Sequence, residues 1–106
     1  MKGYVYLIND SGKENAYKIG VTKNLVNERK KELQTGNSSD LDVITYFETK
    51  YPYKLEAMLH RYYNQSNIKN EWFNLTDDDV SGFIQLCEKF NNIILSIENN
   101  PFFDKF

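Results

Sequence analysis

Cysteine, proline and histidine are scarce in this chain of 106 residues, which has one Cys, two Pro and one His. The lone cysteine, Cys87, excludes an internal disulfide and a zinc site built from several cysteines. No run reaches the roughly 18 apolar residues that a membrane-spanning helix needs. The chain does not begin with a charged segment followed by an apolar one. We therefore expect an intracellular protein that is not secreted and does not contact a membrane.

Net charge is small but unevenly distributed. The formal net charge of −2 argues against a general nucleic-acid coat protein, and the aromatic content of 15% argues against disorder. Residues 1–31 carry seven Lys or Arg and three Asp or Glu, giving +4. Residues 32–106 carry six and twelve, giving −6. The N-terminal third is therefore the region expected to face an anion.

Hydrophobic periodicity predicts one α+β domain over residues 1–106. We expect an α/β sandwich in which a three-stranded antiparallel sheet is flanked by helices, in the order β-β-α-β-α-α. The predicted strands are 3–9, 16–22 and 41–48, and the predicted helices are 25–34, 53–64 and 76–97. A short extended piece is expected over 71–75. An aromatic tail is expected over 98–106, and the last helix is expected to begin with a capping box of Thr76 and Asp79.

A turn signal centred on Gly12 predicts that the first two strands form a hairpin with Tyr6 opposite Lys18. Both side chains then leave the same face of the sheet. Asn24 is the expected N-cap of the first helix, in which Arg29 shares an inward stripe with apolar residues.

Five side chains could carry chemistry. A charged guanidinium on an inward stripe, Arg29, needs an anionic partner such as a carboxylate or a phosphate. A lone carboxylate, Glu56, can hold Mg²⁺ together with water and substrate oxygens, and His60 one turn later could support it or carry a proton. A cation beside a phenol favours its ionised form, so Lys18 could help Tyr6 to act as a general base.

Each of these residues also has an ordinary structural explanation. Arg29 can be a helix-edge residue whose head group reaches water. Glu56 can be a surface carboxylate, and His60 a half-buried polar residue. Tyr6 can be a strand residue packed in a cross-strand pair.

Several segments, taken in order, resemble the GIY-YIG nuclease superfamily over roughly residues 3–80. They are Tyr4-Val5-Tyr6, Lys18-Ile19-Gly20, Arg29, Leu33-Gln34-Thr35-Gly36-Asn37, Leu55-Glu56 with His60, and Glu71-Trp72-Phe73. The closest resemblance is to the short viral and phage-type members. The sequence departs from the family pattern at Tyr4 and Lys18, and the family's late Asn has only Asn70 and Asn74 as candidates.

The resemblance implies a metal-dependent DNA endonuclease that hydrolyses phosphodiester bonds. One divalent cation, Mg²⁺ or Mn²⁺, would be held by Glu56 and supported by His60. Tyr6 would be the general base or would position the attacking water, assisted by Lys18, and Arg29 would bind the scissile phosphate. Further contacts with DNA are expected from Lys23, Lys30, Lys31 and Asn37.

Two other functions stay open at this stage. The chain could be a non-catalytic DNA-binding module on the same fold. It could also be a protein-interaction domain whose tail, with Phe102, Phe103 and Phe106, docks on a partner or a second copy. A separate targeting partner and a homo-oligomer are compatible with a chain that has no room for its own targeting module.

Overall fold

The computed structural model describes residues 2–103 of the chain. Its strands are β1 (Gly3–Asp10), β2 (Ala16–Thr22), β3 (Leu41–Thr49), β4 (Asn67–Lys69) and β5 (Trp72–Asn74). Its helices are α1 (Val26–Thr35), α2 (Pro52–Tyr62), α3 (Asp77–Ser81) and α4 (Phe83–Ser96), with a 3₁₀ turn at Asn64–Ser66. Among the described residues, no helix combines the length and the apolar character needed to span a membrane.

The sheet has five antiparallel strands in the order β3-β1-β2-β5-β4, so the predicted three-stranded sheet is wrong, although the fold is α+β. β5 lies within the predicted extended piece 71–75. Its pairing with β2 and the whole of β4 were not predicted, because each strand has only three residues, too few for an alternating pattern to stand out. Asn70 adopts a φ of 53° at their turn. The Asn67 amide donates to the carbonyls of Asn70 and Trp72 at 2.8 and 3.1 Å, which braces this hairpin.

β1 is covered on both faces. Its odd positions Val5 and Leu7 belong to the larger hydrophobic core, together with residues of α2, β5 and α4. Its even positions Tyr6 and Ile8 belong to a smaller core, with Val26 of α1. The unbroken apolar run at the centre of β1 is what a strand between two packed layers requires.

Two helix boundaries differ from prediction. The N-cap of α1 is Leu25, not Asn24, and it makes no side-chain capping bond. The predicted helix 76–97 is divided into α3 and α4 at Gly82, a residue type with low helix propensity. The capping box at the start of α3 is confirmed, because Thr76 and Asp79 exchange hydrogen bonds of 3.0 and 3.1 Å.

The turn after β1 is tied to the loop after α1 by the buried carboxylate of Asp10. That carboxylate accepts hydrogen bonds from the Gly12 N–H at 2.9 Å and from the Ser39 hydroxyl. These donors hold the pKa of Asp10 below its ordinary value, with the Ser39 bond as the largest cause. The Gln34 amide nitrogen donates to the Ser39 carbonyl at 2.8 Å, so the segment from Gln34 to Ser39 is a braced loop.

Part of the aromatic tail packs on the domain. The Phe103 ring lies edge-on to Tyr51, with ring centroids 5.0 Å apart, and the Lys54 ammonium lies 4.5 Å from its centroid. Phe103 therefore packs near the start of α2, whereas Phe102 is exposed. Phe106 lies outside the described residues.

Candidate functional site

The hairpin register sets the positions of Tyr6 and Lys18. Tyr6 lies opposite Gly20, and Lys18 lies opposite Ile8, so the predicted pairing of Tyr6 with Lys18 is wrong by two residues. The loop is centred on Lys13 rather than on Gly12, which shifts the register by an even number. Both side chains therefore still leave the same face of the sheet.

The Tyr6 side chain is fully buried and crosses over Gly20. A Cβ atom at residue 20 would overlap the Tyr6 hydroxyl and would lie 2.5 Å from the ring carbon that bears it. Glycine is therefore the residue that lets the phenol lie across β2. This contact explains why the Lys18-Ile19-Gly20 segment ends in glycine.

Arg29 approaches the same phenol from α1. Its Nη1 atom lies 3.9 Å from Glu32 at the surface, while its Nε atom is buried. Arg29 Nε and the Tyr6 hydroxyl oxygen are both buried, and neither makes a well-oriented hydrogen bond with another described residue. The guanidinium is nevertheless close enough to the phenol for a hydrogen bond between the two groups to lower the pKa of Tyr6 and to raise the pKa of Arg29.

His60 and Glu56 are neighbours one turn apart on α2. The His60 Nε2 atom lies 2.8 Å from the Ile19 carbonyl oxygen and 3.9 Å from Glu56 Oε2. A carbonyl can only accept, so Nε2 carries a proton. The His60 ring also packs edge-on against Phe73, with centroids 5.0 Å apart.

Lys18 faces the β4–β5 hairpin. Its ammonium lies 3.6 Å from a Glu71 carboxylate oxygen and 5.6 Å from the centre of the Trp72 ring. Glu71 is a further carboxylate of the cluster, and it is absent from the residues predicted to carry chemistry. Its position directly before two aromatic residues, Trp72 and Phe73, is the sequence signal that could have indicated it.

The start of β5 explains why side chains from both faces of the sheet meet here. β5 pairs with residues 16–18 of β2. Beyond them, the Ile19 N–H donates to the Glu71 carbonyl at 3.0 Å, and the Ile19 carbonyl accepts from His60. At the Ile19 carbonyl, a side chain of α2 therefore takes the place of a neighbouring strand. This contact brings α2 to the edge of the sheet next to Gly20.

Burial governs the pKa of Tyr6. Loss of solvent raises it above its ordinary value, and Arg29 opposes this effect, while the Glu71 and Glu56 carboxylates reinforce it. The phenol is therefore protonated at neutral pH. We expected the Lys18 ammonium to favour the phenolate, but the cation that lowers the pKa of Tyr6 is Arg29.

Burial governs the pKa of Glu56. Its side chain is 21% exposed, and burial is the largest cause of its raised pKa. His60 and Lys18 oppose the increase, and Glu71 adds to it. Within residues 2–103, no group of three or more His, Cys, Asp or Glu side chains could hold a metal ion. Glu56 therefore fits a cation completed by water and phosphate oxygens, and not a cage made of protein ligands alone.

The four predicted DNA contacts lie outside this cluster. The Lys23 ammonium lies 5.9 Å from the Tyr53 ring centre. Lys30 is half-buried and Lys31 exposed on α1. The Asn37 amide donates to the Ser39 carbonyl at 2.7 Å, so it takes part in bracing its own loop.

These observations describe an α+β domain with a polar cluster at a partly open sheet edge. The chain matches the T5orf172 domain family over residues 3–88, and it belongs to that family. The T5orf172 domain is phage-associated and related to nucleases of the GIY-YIG and HNH-like kinds, which connects the chain with nuclease and DNA-binding roles. Comparisons with curated proteins and with solved structures give no significant match.

Proposed function

We propose that this T5orf172 domain is a divalent-metal-dependent DNA endonuclease of the GIY-YIG kind, which hydrolyses phosphodiester bonds. The main support is the buried contact between the Tyr6 phenol and Arg29, in which neither the hydroxyl oxygen nor Nε makes a well-oriented hydrogen bond within the described residues. Leaving a buried polar group unsatisfied costs about 1–3 kcal/mol. Two such groups beside the Glu56 carboxylate suit a site that is completed by a phosphate.

Arg29 holds the scissile phosphate in this proposal. A guanidinium is charged at every relevant pH and can donate two parallel hydrogen bonds to phosphate oxygens. Its Nε atom makes no well-oriented hydrogen bond within residues 2–103, and its only ion pair there, with Glu32, is a surface contact of 3.9 Å. A phosphate can therefore replace that contact at small cost.

Tyr6 orients the attacking water and accepts its proton. Because burial keeps the phenol protonated, this role requires added positive charge near its oxygen. Arg29 supplies part of that charge. A divalent cation held by Glu56 would supply more, and would polarise the phosphate and stabilise the leaving oxygen.

Lys18 and His60 are positioning residues. Lys18 partly neutralises Glu71, whose carboxylate raises the pKa of both Tyr6 and Glu56. His60 holds α2 against β2 through its bond to the Ile19 carbonyl, and Glu56 lies on the same side of that helix.

Nicking of supercoiled plasmid tests the proposal. We expect nicking in Mg²⁺ or Mn²⁺ and none in EDTA. Glu56→Ala should abolish nicking, while Glu88→Ala, at an exposed glutamate of α4, should leave it unchanged. Nicking by Glu56→Ala at the parent rate, or by the parent in EDTA, contradicts the proposal.

The protonated state of Tyr6 favours one alternative, a DNA-binding module without catalytic activity. Its lysines would then contact DNA phosphates, and the affinity would fall with salt. DNA binding without cleavage in either metal would support this alternative.

A further inference from the structure

A groove lies beside the candidate site, on the outer part of the sheet. Six residues line this hairpin groove, whose volume is about 370 Å³: Lys13, Ala16, Ile68, Lys69, Asn70 and Trp72. Trp72 lies opposite Lys18 in the strand register, so its side chain is on the sheet face that carries Lys18 and Tyr6. On that face, α1 packs against β3, at the other side of the sheet.

The lining of the hairpin groove combines cations with apolar surface. Lys13 and Lys69 are exposed, and no carboxylate is among the lining residues. Ile68 is 56% exposed, so its apolar surface is open to a ligand. Lysines interleaved with an aromatic and an aliphatic side chain suit a ligand with both phosphates and flat apolar faces.

The hairpin groove adjoins the candidate site at Trp72. The Trp72 ring lines the groove and lies 5.6 Å from the Lys18 ammonium, which in turn lies 3.6 Å from Glu71. The hairpin that carries Trp72 is braced by the two hydrogen bonds of Asn67. A strand that crosses the site can therefore pass directly into a preformed groove.

We infer that the hairpin groove binds a nucleotide of a single-stranded segment of nucleic acid. The base lies against Trp72 and Ile68, and the flanking phosphates pair with Lys13 and Lys69. A duplex hides its base faces inside the stack and offers this apolar surface nothing to contact. The inference rests on the proposed function in one respect, namely that the bond to be cleaved lies next to the groove.

Trp72 is the single tryptophan of the chain, so its fluorescence reports on the groove directly. The full chain in EDTA is titrated with a thymidine octanucleotide and with a duplex of equal length, and binding is followed separately by the anisotropy of a dye on the DNA. We expect the octanucleotide to quench Trp72 and to bind about ten-fold more tightly than the duplex. Unchanged Trp72 emission at saturation, or equal affinity for the two DNAs, overturns the inference.

Substitutions in the groove provide a second readout. Ile68→Ala should weaken octanucleotide binding about ten-fold, while Ile44→Ala, at an exposed isoleucine of β3, should not weaken it. Lys69→Ala should lower the slope of log affinity against log salt by about 0.7, the value for one phosphate of a single strand. Lys89→Ala, at an exposed lysine of α4, should leave that slope unchanged. Parent-like binding by both groove variants contradicts the inference.

A second copy of the chain is the competing occupant of the groove. It would shift Trp72 emission as protein concentration rises without DNA, and this result would overturn the inference. Because every binding measurement is made in EDTA, these outcomes are independent of nicking by the parent and by Glu56→Ala. A failure of the groove inference is thereby distinguished from a failure of the proposed nuclease.

Discussion

The Tyr6 phenol crosses the backbone of Gly20 on the neighbouring strand and leaves no room there for a Cβ atom. The contact joins β1 to the part of β2 beside which β5 starts and His60 bonds to the Ile19 carbonyl. The position of the phenol, and with it the geometry of the site, therefore depends on a residue that has no side chain.

Gly20→Ala should destabilise the domain by about 1–3 kcal/mol, as overpacking of a filled core does. Gly36→Ala is a matched control, because nothing lies within 4 Å of a Cβ atom at residue 36. Its effect should stay within about 0.5 kcal/mol. Urea denaturation measures both variants. Equal stability of the two would show that the Tyr6 ring moves aside without cost.

Tyr6→Phe should separate stability from activity. The substitution removes a buried hydroxyl that makes no well-oriented hydrogen bond within the described residues, so the free energy of unfolding should stay the same or increase. Plasmid nicking should fall by about 10²–10⁴, the usual contribution of a general base. Tyr17→Phe, at a half-buried tyrosine of the larger core, serves as the control. A Tyr6→Phe protein that cuts at the parent rate removes the phenol from the mechanism.

Glu56→Gln should change the pH dependence of stability in EDTA. Burial raises the pKa of Glu56, so the folded chain binds that proton more tightly than the unfolded chain. The protonated Glu56 contributes this stability fully below the ordinary glutamate pKa of about 4.3. The contribution is lost as pH rises through the higher pKa that Glu56 has in the folded chain. Relative to the parent, Glu56→Gln should therefore gain stability between pH 4 and pH 7, by about 1.4 kcal/mol for each pKa unit of the shift.

Urea denaturation of the parent and Glu56→Gln at the two pH values measures this gain. Glu88→Gln, at an exposed glutamate, should show no such gain. An identical difference between Glu56→Gln and the parent at pH 4 and pH 7 would contradict the effect of burial.

Asp10→Ala should loosen the brace between the first turn and the loop after α1. Two donors lose their acceptor, those of Gly12 and Ser39, and we expect a loss of about 1–3 kcal/mol at neutral pH. The pKa of Asp10 is lowered, so its contribution is present above the ordinary aspartate pKa and is lost as pH falls through the folded value. Thermal melts should show the largest difference from the parent near pH 7 and a smaller one near pH 3. Asp42→Ala, at an exposed aspartate of β3, should have little effect at either pH.

Much of the fold could be predicted because several segments carry a clear period. β1, β2 and β3 are rich in β-branched and aromatic residues, and α2 has an apolar stripe that the structure buries at Leu55 and Leu59. The hairpin of β4 and β5 could not be predicted in the same way, because its strands are short and β4 is fully exposed. The break at Gly82 follows from the low helix propensity of glycine, which the periodicity of the apolar residues does not reveal.

The residue types of the candidate site stand out from the sequence, but their contacts do not. Arg29 lies on the inward stripe of its helix, and Glu56 and His60 share a line beside the apolar stripe of theirs. The partner of Lys18 could not be predicted, since Glu71 reaches it only through the hairpin of β4 and β5. Likewise, the burial that raises the pKa of Tyr6 comes from tertiary packing, against Gly20 and within the smaller core.

The strands at the two margins of the sheet differ greatly in length, and this has a consequence for self-association. β4 has three residues and ends in Lys69, whereas β3 has nine and exposes Ile44 and Tyr46. Long margins with apolar side chains are templates for intermolecular strand pairing, and short charged ones are not. Fibril growth from a destabilised chain should thus start at β3, and Ile44→Lys should delay it in a light-scattering assay while Ile68→Lys should not.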